Sequence, residues 1–266
     1  MKNLYVTLAL VVSASSLPAL QPKQTLNCDD HNGNSRRANY CEMREQTVSA
    51  AGGVITVDAS PNGGISIKGW DHADVLVRAQ IRTSAATDAE ARDLARQVSV
   101  QTAGAQIRSD GPKGDHDRSW SVSYEVFVPA RSSANVRTVN GGININDVVG
   151  SLEFQTVNGG VNLKRVGGSV RGQTTNGGLN IELAGDHLEG QGMEVKTTNG
   201  GVNIVVPQNF SAQLEAETRN GGIHTDTPAI VPASNRPERH VSVALGRGGA
   251  LMKITTTNGG VNIKHL

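Results

Sequence analysis

The chain has 266 residues, a formal net charge of +1, 3% aromatic residues and 31 glycines. Charges of both signs are interspersed, leaving no basic stripe for nucleic acid and no polybasic segment for anionic lipid, which excludes those two partner classes. So few aromatics argue against a conventional large globular core and for thin layers repeated many times.

The first residues, MKNLYVTLALVVSASS, combine Lys2, an apolar run from Leu4 to Val12 and the small residues Val12-Ser13-Ala14 at a cleavage spacing. They read as a secretory leader over about 1–20. The run is too short to span a bilayer and no later stretch is apolar for long enough. An exported protein of the periplasm or cell surface, with no transmembrane segment after processing, is expected. Thr25-Leu26-Asn27 before Cys28 lacks the small residues of a lipoprotein site. A polar segment over 21–45 carries both cysteines, Cys28 and Cys41. In an exported chain this pair reads as one disulfide closing a short loop, contributing up to about 3 kcal/mol. The competing metal site in the order C-D-D-H, with His31 as a ligand, lacks an obvious fourth ligand.

Residues 46–133 form a β-rich section that begins the sheet system and caps its first edge. TVSAAGGVITVDASPNGGISIKGW carries a degenerate Asn-Gly-Gly copy at Asn62, and DVLVRAQIRT alternates as a strand. TDAEARDLARQV is a short helix with Thr87 or Asp88 as its N-cap. SVQTAGAQIRSD and SWSVSYEVFVPA are strands flanking a polar GPKGDHDR loop.

From 134 to 266 the chain repeats itself. Asn-Gly-Gly begins at Asn140, Asn158, Asn176, Asn199, Asn220 and Asn258, spaced by 18, 18, 23, 21 and 38. Two positions before each Asn stands Thr138, Thr156, Thr174, Thr197, Thr218 or Thr256. Three after come Ile143, Val161, Leu179, Val202, Ile223 and Val261, an inward column by alternation. Four after come Asn144, Asn162, Asn180, Asn203, His224 and Asn262, facing outward. A hairpin with Asn158-Gly159 as its loop would satisfy the same parity, pairing Phe154 with Leu163. In a meander, however, successive tips lie two strand spacings apart and have no reason to match. In a parallel stack each column is a ladder with a repeat of about 4.8 Å, so identical Thr and Asn side chains can hydrogen-bond along it. Identity down the columns therefore favours an all-β solenoid of about 18-residue coils. One corner falls at Asn-Gly-Gly and the other at Val149-Gly150 or Val166-Gly167-Gly168, with glycine at both expected to supply positive φ. The longer spacings are insertions at the second corner, AGDHLEGQG, VPQNF and a loop over 228–237.

The outward column five before the Asn runs Asn135, Glu153, Arg171, Glu194, Glu215, Lys253, with mostly opposite neighbouring charges. Glu194 next to Glu215 breaks that pattern. The chain ends on NGGVNIKHL, and this last coil is expected to be an edge through which another copy or a partner strand could dock.

No set of residues announces catalysis, a cofactor or a metal. Glu194, Glu215 and Glu217 come nearest to an acid cluster, but a solvated charged face accounts for them, and no Gly-x-Ser-x-Gly elbow accompanies the seven histidines. The aspartate of a calcium β-roll is missing, since Lys164 and Glu182 occupy its position, and Asp115-His116-Asp117 reads as a charged surface loop. The remaining binding candidate is the outward amide column of Asn144, Asn162, Asn180, Asn203 and Asn262 with its flanking polar columns, Gln155, Gln173, Lys196 and Lys164, Glu182, suited to hydroxyls of a cell-surface polymer or the backbone of an envelope protein. Its alternative role is to bond to itself and stabilise the ladder.

Repeated T-x-N-G-G-h-x-h units, preceded by the Y-x-V-x-V-P strand Tyr124 to Pro129, resemble the bacterial putative-adhesin family related to auto-transporter adhesin head domains. The resemblance covers about Thr47 to Leu266. It implies a right-handed parallel β-helix and an adhesin-like, non-enzymatic envelope or surface scaffold, and it carries over no catalytic or ligand residue. A carbohydrate-active enzyme on the same fold and a periplasmic envelope-stress signalling module are the alternatives.

Overall fold

A computed structural model describes residues 25–28, 37–50, 52–226 and 238–266. The expected leader over 1–20, His31 of the C-D-D-H stretch and the loop over 228–237 lie outside these residues. The described chain is all-β apart from one α-helix and a 3-10 turn.

In chain order the N-terminal strands are β1 (Ala38–Ser49), β2 (Ile55–Asp58), β3 (Ile65–Trp70) and β4 (Asp74–Ala85), followed by helix α1 (Asp88–Gln97). Thr87 caps α1 in a capping box with Glu90, which satisfies two of the donors that a helix start leaves unpaired. Then come β5 (Ser99–Gln101), β6 (Gln106–Asp110) and β7 (Ser119–Pro129). The repeats supply β8 (Ala134–Arg137), β9 (Ile143–Asn146), β10 (Val149–Asn158), β11 (Val161–Asn176), β12 (Leu179–Leu183), β13 (Met193–Asn199) and β14 (Val202–Val206). The last are β15 (Ala212–Asn220), β16 (Ile223–Thr225), β17 (His240–Leu245), β18 (Leu251–Asn258) and β19 (Val261–His265).

Equivalent strands of successive repeats pair in parallel and in register. Thr156 sits beside Thr174, Asn158 beside Asn176, Asn162 beside Asn180. Phe154 neighbours Val136 and Gly172, so the hairpin that would set it against Leu163 does not form. One face runs β1-β4-β7-β3-β9-β11-β12-β14-β19-β16, antiparallel only in its first two pairings. The other runs β5-β6-β2-β8-β10-β11-β13-β18-β15-β17. Strand β11 continues through the second corner and serves both faces, so all nineteen strands join in one curled sheet. The Asn62 copy belongs to the same stack, with Asn62 bridging to Asn140.

The core lies between the two faces. Ile143, Val161, Leu179, Val202 and Val261 are fully buried, and across from them Leu152, Val170, Met193, Met252 and Leu214 are likewise buried. Removing such branched side chains from water contributes about 2 kcal/mol each, and the stack gathers that gain coil by coil without needing aromatics.

Three expectations need correction. First, the C-terminal coil is not an edge: β18 lies between β13 and β15, and β19 between β14 and β16. The coil of β15 and β16, earlier in sequence, is outermost, and β17 folds back antiparallel on β15. Charge supplies a reason, because Lys253 is interposed between Glu194 and Glu215, which sequence order would have put side by side. Second, none of the Asn-Gly-Gly glycines among the described residues has positive φ; at the second corner Gly168 does, at 89°. The first glycine of each motif is needed for close approach: a Cβ at Gly159 would lie 1.9 Å from the Gly141 carbonyl oxygen. Third, 12-residue β1 begins inside the segment read as a polar loop, and pairs with β4 along its whole length.

Candidate functional site

The two outward Asn columns are amide ladders. In the corner column, Nδ2 of Asn140 donates to Oδ1 of Asn62, Asn158 to Asn140, Asn176 to Asn158, each at 2.8 Å. The series continues from Asn199 to Asn176 at 2.8 Å, Asn258 to Asn199 at 2.7 Å and Asn220 to Asn258 at 2.8 Å. In the second column Asn162 donates to Asn144 at 3.0 Å, Asn180 to Asn162 and Asn203 to Asn180 at 2.8 Å, and Asn262 to Asn203 at 2.9 Å. The column proposed to meet a polymer thus already spends a donor and an acceptor of each interior amide on its neighbours.

The threonines turn inward and do not bond to one another. Each hydroxyl donates to the first glycine carbonyl of the adjoining coil: Thr138 to Gly63 at 2.8 Å, Thr156 to Gly141 at 3.0 Å, Thr174 to Gly159 and Thr197 to Gly177 at 2.9 Å. Thr256 to Gly200 at 2.9 Å and Thr218 to Gly259 at 2.8 Å complete the set. A buried hydroxyl thereby finds its acceptor on the backbone that the missing Cβ lets come close.

On the outer side of the β8-β10-β11-β13 face the polar side chains are not arranged as a self-bonded ladder. Arg137, Gln155, Gln173 and Lys196 line a shallow groove of about 450 Å³, bordered by Glu153, Arg171 and Glu194. A second hollow of about 310 Å³ adjoins it along Ser151, Ser169 and Gln191 and shares Glu153, Arg171 and Glu194. Arg171 pairs with Glu194 at 3.1 Å and Asn135 donates to Glu153 at 2.9 Å, holding the border while the glutamine and lysine heads face the groove. Further along, Lys253 bonds Glu215 at 3.1 Å, and that bond holds the ammonium above its usual range.

A cluster that sequence reading missed sits where β3, β4 and β7 adjoin. Glu125 on β7 is fully buried although it occupies an outward position of its strand. Lys68 Nζ lies 2.8 Å from it and Arg78 Nη1 3.5 Å; Arg78 also bonds Glu45 at 2.6 Å. The Thr25 hydroxyl and amide donate to the same carboxylate, Gln80 donates to the Asn27 carbonyl, and the Cys28–Cys41 disulfide ties this segment to β1. Lys68 and Arg78 stand 5.4 and 5.3 Å from the Phe127 ring centre, and the Trp70 ring packs against the same ring at 5.7 Å between centres. Burial pushes the Glu125 carboxyl up, but hydrogen bonds from Lys68 and Thr25 and the Lys68 charge outweigh it, so it titrates below the usual carboxylate range. The only sequence signal was a pair of charged residues, Arg78 and Glu125, inside otherwise apolar alternating strands.

Elsewhere the titratable groups are committed or dispersed. Asp115 accepts from the Asp117 and Arg118 amides, which lower its acidity range, and pairs with Arg118 at 3.1 Å; Arg37 donates to the His116 carbonyl. Asp226 binds the amide and Nδ1 of His265 at 2.9 and 2.8 Å, and His187 bonds its neighbour Asp186 at 2.6 Å. Glu194 and Glu215 are separated by Lys253, and Glu217 lies across from Thr255. Among the described residues no three of His, Cys, Asp or Glu stand close enough to hold a metal ion, and no helix is long and apolar enough to cross a membrane.

Comparison with known proteins finds no match among curated proteins. Among solved structures the chain is similar to a putative cell adhesion protein from Clostridium sporogenes ATCC 15579, at 11% identity over 85% of this chain and 100% of that one, with a TM-score of 0.42. A putative adhesin from Bacteroides fragilis NCTC 9343 is 12% identical over 85% and 97% of the two chains, TM-score 0.41. A putative lipid binding protein from Parabacteroides distasonis ATCC 8503 is 10% identical over 84% and 96%, TM-score 0.34. The family model Toastrack DUF4097 matches residues 47–264. That stretch takes in the Glu125 cluster and every described rung of the amide ladders, and the chain belongs to the Toastrack DUF4097 family.

Proposed function

We propose that this protein is an exported, non-enzymatic scaffold of the cell envelope or surface that binds an extended polar polymer, in the manner of an adhesin. In this reading 1–20 is the secretory leader, 21–45 a polar segment with a disulfide loop that runs into β1, 46–133 a cap and 134–266 a right-handed parallel β-solenoid. The parallel in-register pairing of the repeats supports that architecture. The corner Asn and inward Thr columns are its structural ladders.

The observation that carries the functional reading is the division of labour among outward side chains. Both Asn columns bond to themselves, which moves binding away from Asn144, Asn162, Asn180, Asn203 and Asn262 and onto the groove of Arg137, Gln155, Gln173 and Lys196. Two amides and the Lys196 ammonium at the spacing of stacked strands, beside an Arg137 already bonded to Asp58 at 2.7 Å, suit a chain molecule with repeated hydroxyls and some acidic groups. A glycan array and an envelope pull-down, probed with the processed chain and with a Gln173→Ala/Lys196→Ala variant, test it. The wild type should retain a glycan, and the variant should lose on the order of tenfold in affinity with an unchanged melting temperature. Failure of the wild type to bind any glycan or envelope component, or equal binding by the variant, would overturn the reading.

A further inference from the structure

Every corner of the stack carries an Asn followed by Gly. In that pair the glycine nitrogen can reach the Asn side-chain carbonyl carbon unhindered, because the second residue has no side chain. The fold blocks this reaction at six of the seven corners. Gly63, Gly141, Gly159, Gly177, Gly200 and Gly259 each donate their N–H to the Asn carbonyl of the adjoining coil, at 3.0 to 3.2 Å. In the same corners Asn62, Asn140, Asn158, Asn176, Asn199 and Asn258 each accept a neighbour's amide on Oδ1. Attack would require breaking both bonds within a packed ladder.

The seventh corner is different because the C-terminal coil inserts beneath it. Asn220 and Gly221 belong to the outermost coil, and among the described residues no further Asn-Gly-Gly coil follows it; β17 pairs antiparallel with β15 over Ala212–Glu217 and stops short of Asn220. Among the described residues the Gly221 N–H has no acceptor, Asn220 Oδ1 has no donor, and both residues are exposed. Among the described residues the Asn220 side chain has one ladder bond, from its own Nδ2 to Asn258 Oδ1 at 2.8 Å, while its backbone carbonyl still accepts from the Gly259 N–H at 3.1 Å.

We propose that Asn220 is a site of spontaneous modification, deamidating through attack of the Gly221 nitrogen on its side chain while the other six Asn-Gly corners are protected by the stack. The Gly221 nitrogen gives its proton to water and bonds to Cγ of Asn220, the Cγ–Nδ2 bond breaks and ammonia leaves, closing a succinimide. Water then opens the ring at either C–N bond, leaving aspartate or isoaspartate at position 220. Nothing is oxidised or reduced, and water is the only co-reactant. The product has no Nδ2 to donate, so two acceptors face each other across the Asn258 rung, and the outermost coil keeps its backbone pairing, the Thr218 bond to Gly259 at 2.8 Å, and the Lys253–Glu215 and His265–Asp226 bonds away from that corner.

Peptide mass mapping of the full chain during incubation in mildly alkaline buffer reads the seven corners side by side. Modification at Asn220 should outpace each of the other six by about tenfold or more, since they need a local opening first. A parallel incubation in denaturant should bring the seven rates together. Native rates that do not separate Asn220 from the rest, or an Asn220 lead that persists unchanged in denaturant, would overturn the proposal. In the Asn220→Gln variant the fast component among the seven corners should disappear, the Asn32-Gly33 pair, which lies outside the described residues, being followed through its own peptide.

Discussion

The two glycines of each corner look equivalent in sequence and differ in what surrounds them. A Cβ on Gly159 would lie 1.9 Å from the Gly141 carbonyl oxygen, whereas a Cβ on Gly160 would meet nothing nearer than the Gly178 oxygen at 3.6 Å. Backbone cannot yield as a flexible side chain would, so Gly159→Ala must push two coils apart and break the Thr156 bond to Gly141 as well. We expect it to lower unfolding free energy by about 2–4 kcal/mol and Gly160→Ala by less than about 1 kcal/mol. Denaturant titration of both variants checks this, and comparable losses would refute the close-approach explanation. The motif itself was legible, because a ladder demands the same residue at the same place in every coil. Its cause was not, since a turn needing positive φ and a backbone needing contact call for the same residue.

At the scale of elements, the order of strands in space departs from their order in the chain at one place, and a charged column records it. Sequence order sets Glu194 against Glu215; insertion of β18 between β13 and β15 replaces that repulsion with Lys253 between two acids. The spacing of 38 between the last two corners could be read as a skipped period, so nothing in the hydrophobic alternation distinguished the two arrangements. The like-charge neighbour was the one legible sign. Lys253→Glu would put three acids in succession along this face, and the melting temperature should fall, with the difference from wild type shrinking as salt is added. Thermal unfolding at low and high ionic strength measures it. A salt-independent loss would point to packing of the Lys253 stem instead, and no loss would mean that charge does not help seat the C-terminal coil. The same insertion explains why the expected docking edge is absent and why the exposed corner is the one at Asn220.

Across the whole molecule, the repeats stack on one another with little long-range surprise, whereas the N-terminal strands β3, β4 and β7 are held by contacts from distant parts of the chain. Glu125 reads as an outward residue of an alternating strand, and only the convergence of β3, β4 and the segment at Thr25 makes it an interior one. Alternation is a property of one strand, so it could not reveal a burial that depends on three. The cluster also links the N-terminal strands to acidity. Glu125 titrates lower in the folded chain than in the unfolded one, where a glutamate titrates near 4.3. Its contribution to stability is therefore complete above that value and is lost as pH falls through the lower range where the folded carboxylate takes up a proton. Asp58 is held low too, burial opposing and its bond to Arg137 prevailing, so an acid limb in the wild type alone would not identify Glu125. Glu125→Gln separates the two. The variant leaves Lys68 and Arg78 without their buried counter-charge, which should cost about 3 kcal/mol near neutral pH. Because that loss is of the same interaction that acid would titrate away, the wild-type and variant stabilities should converge as pH falls below about 4. Urea unfolding of both chains across that range measures the gap, and a gap that stays constant with pH would show that Glu125 does not couple the stability of β3, β4 and β7 to protonation.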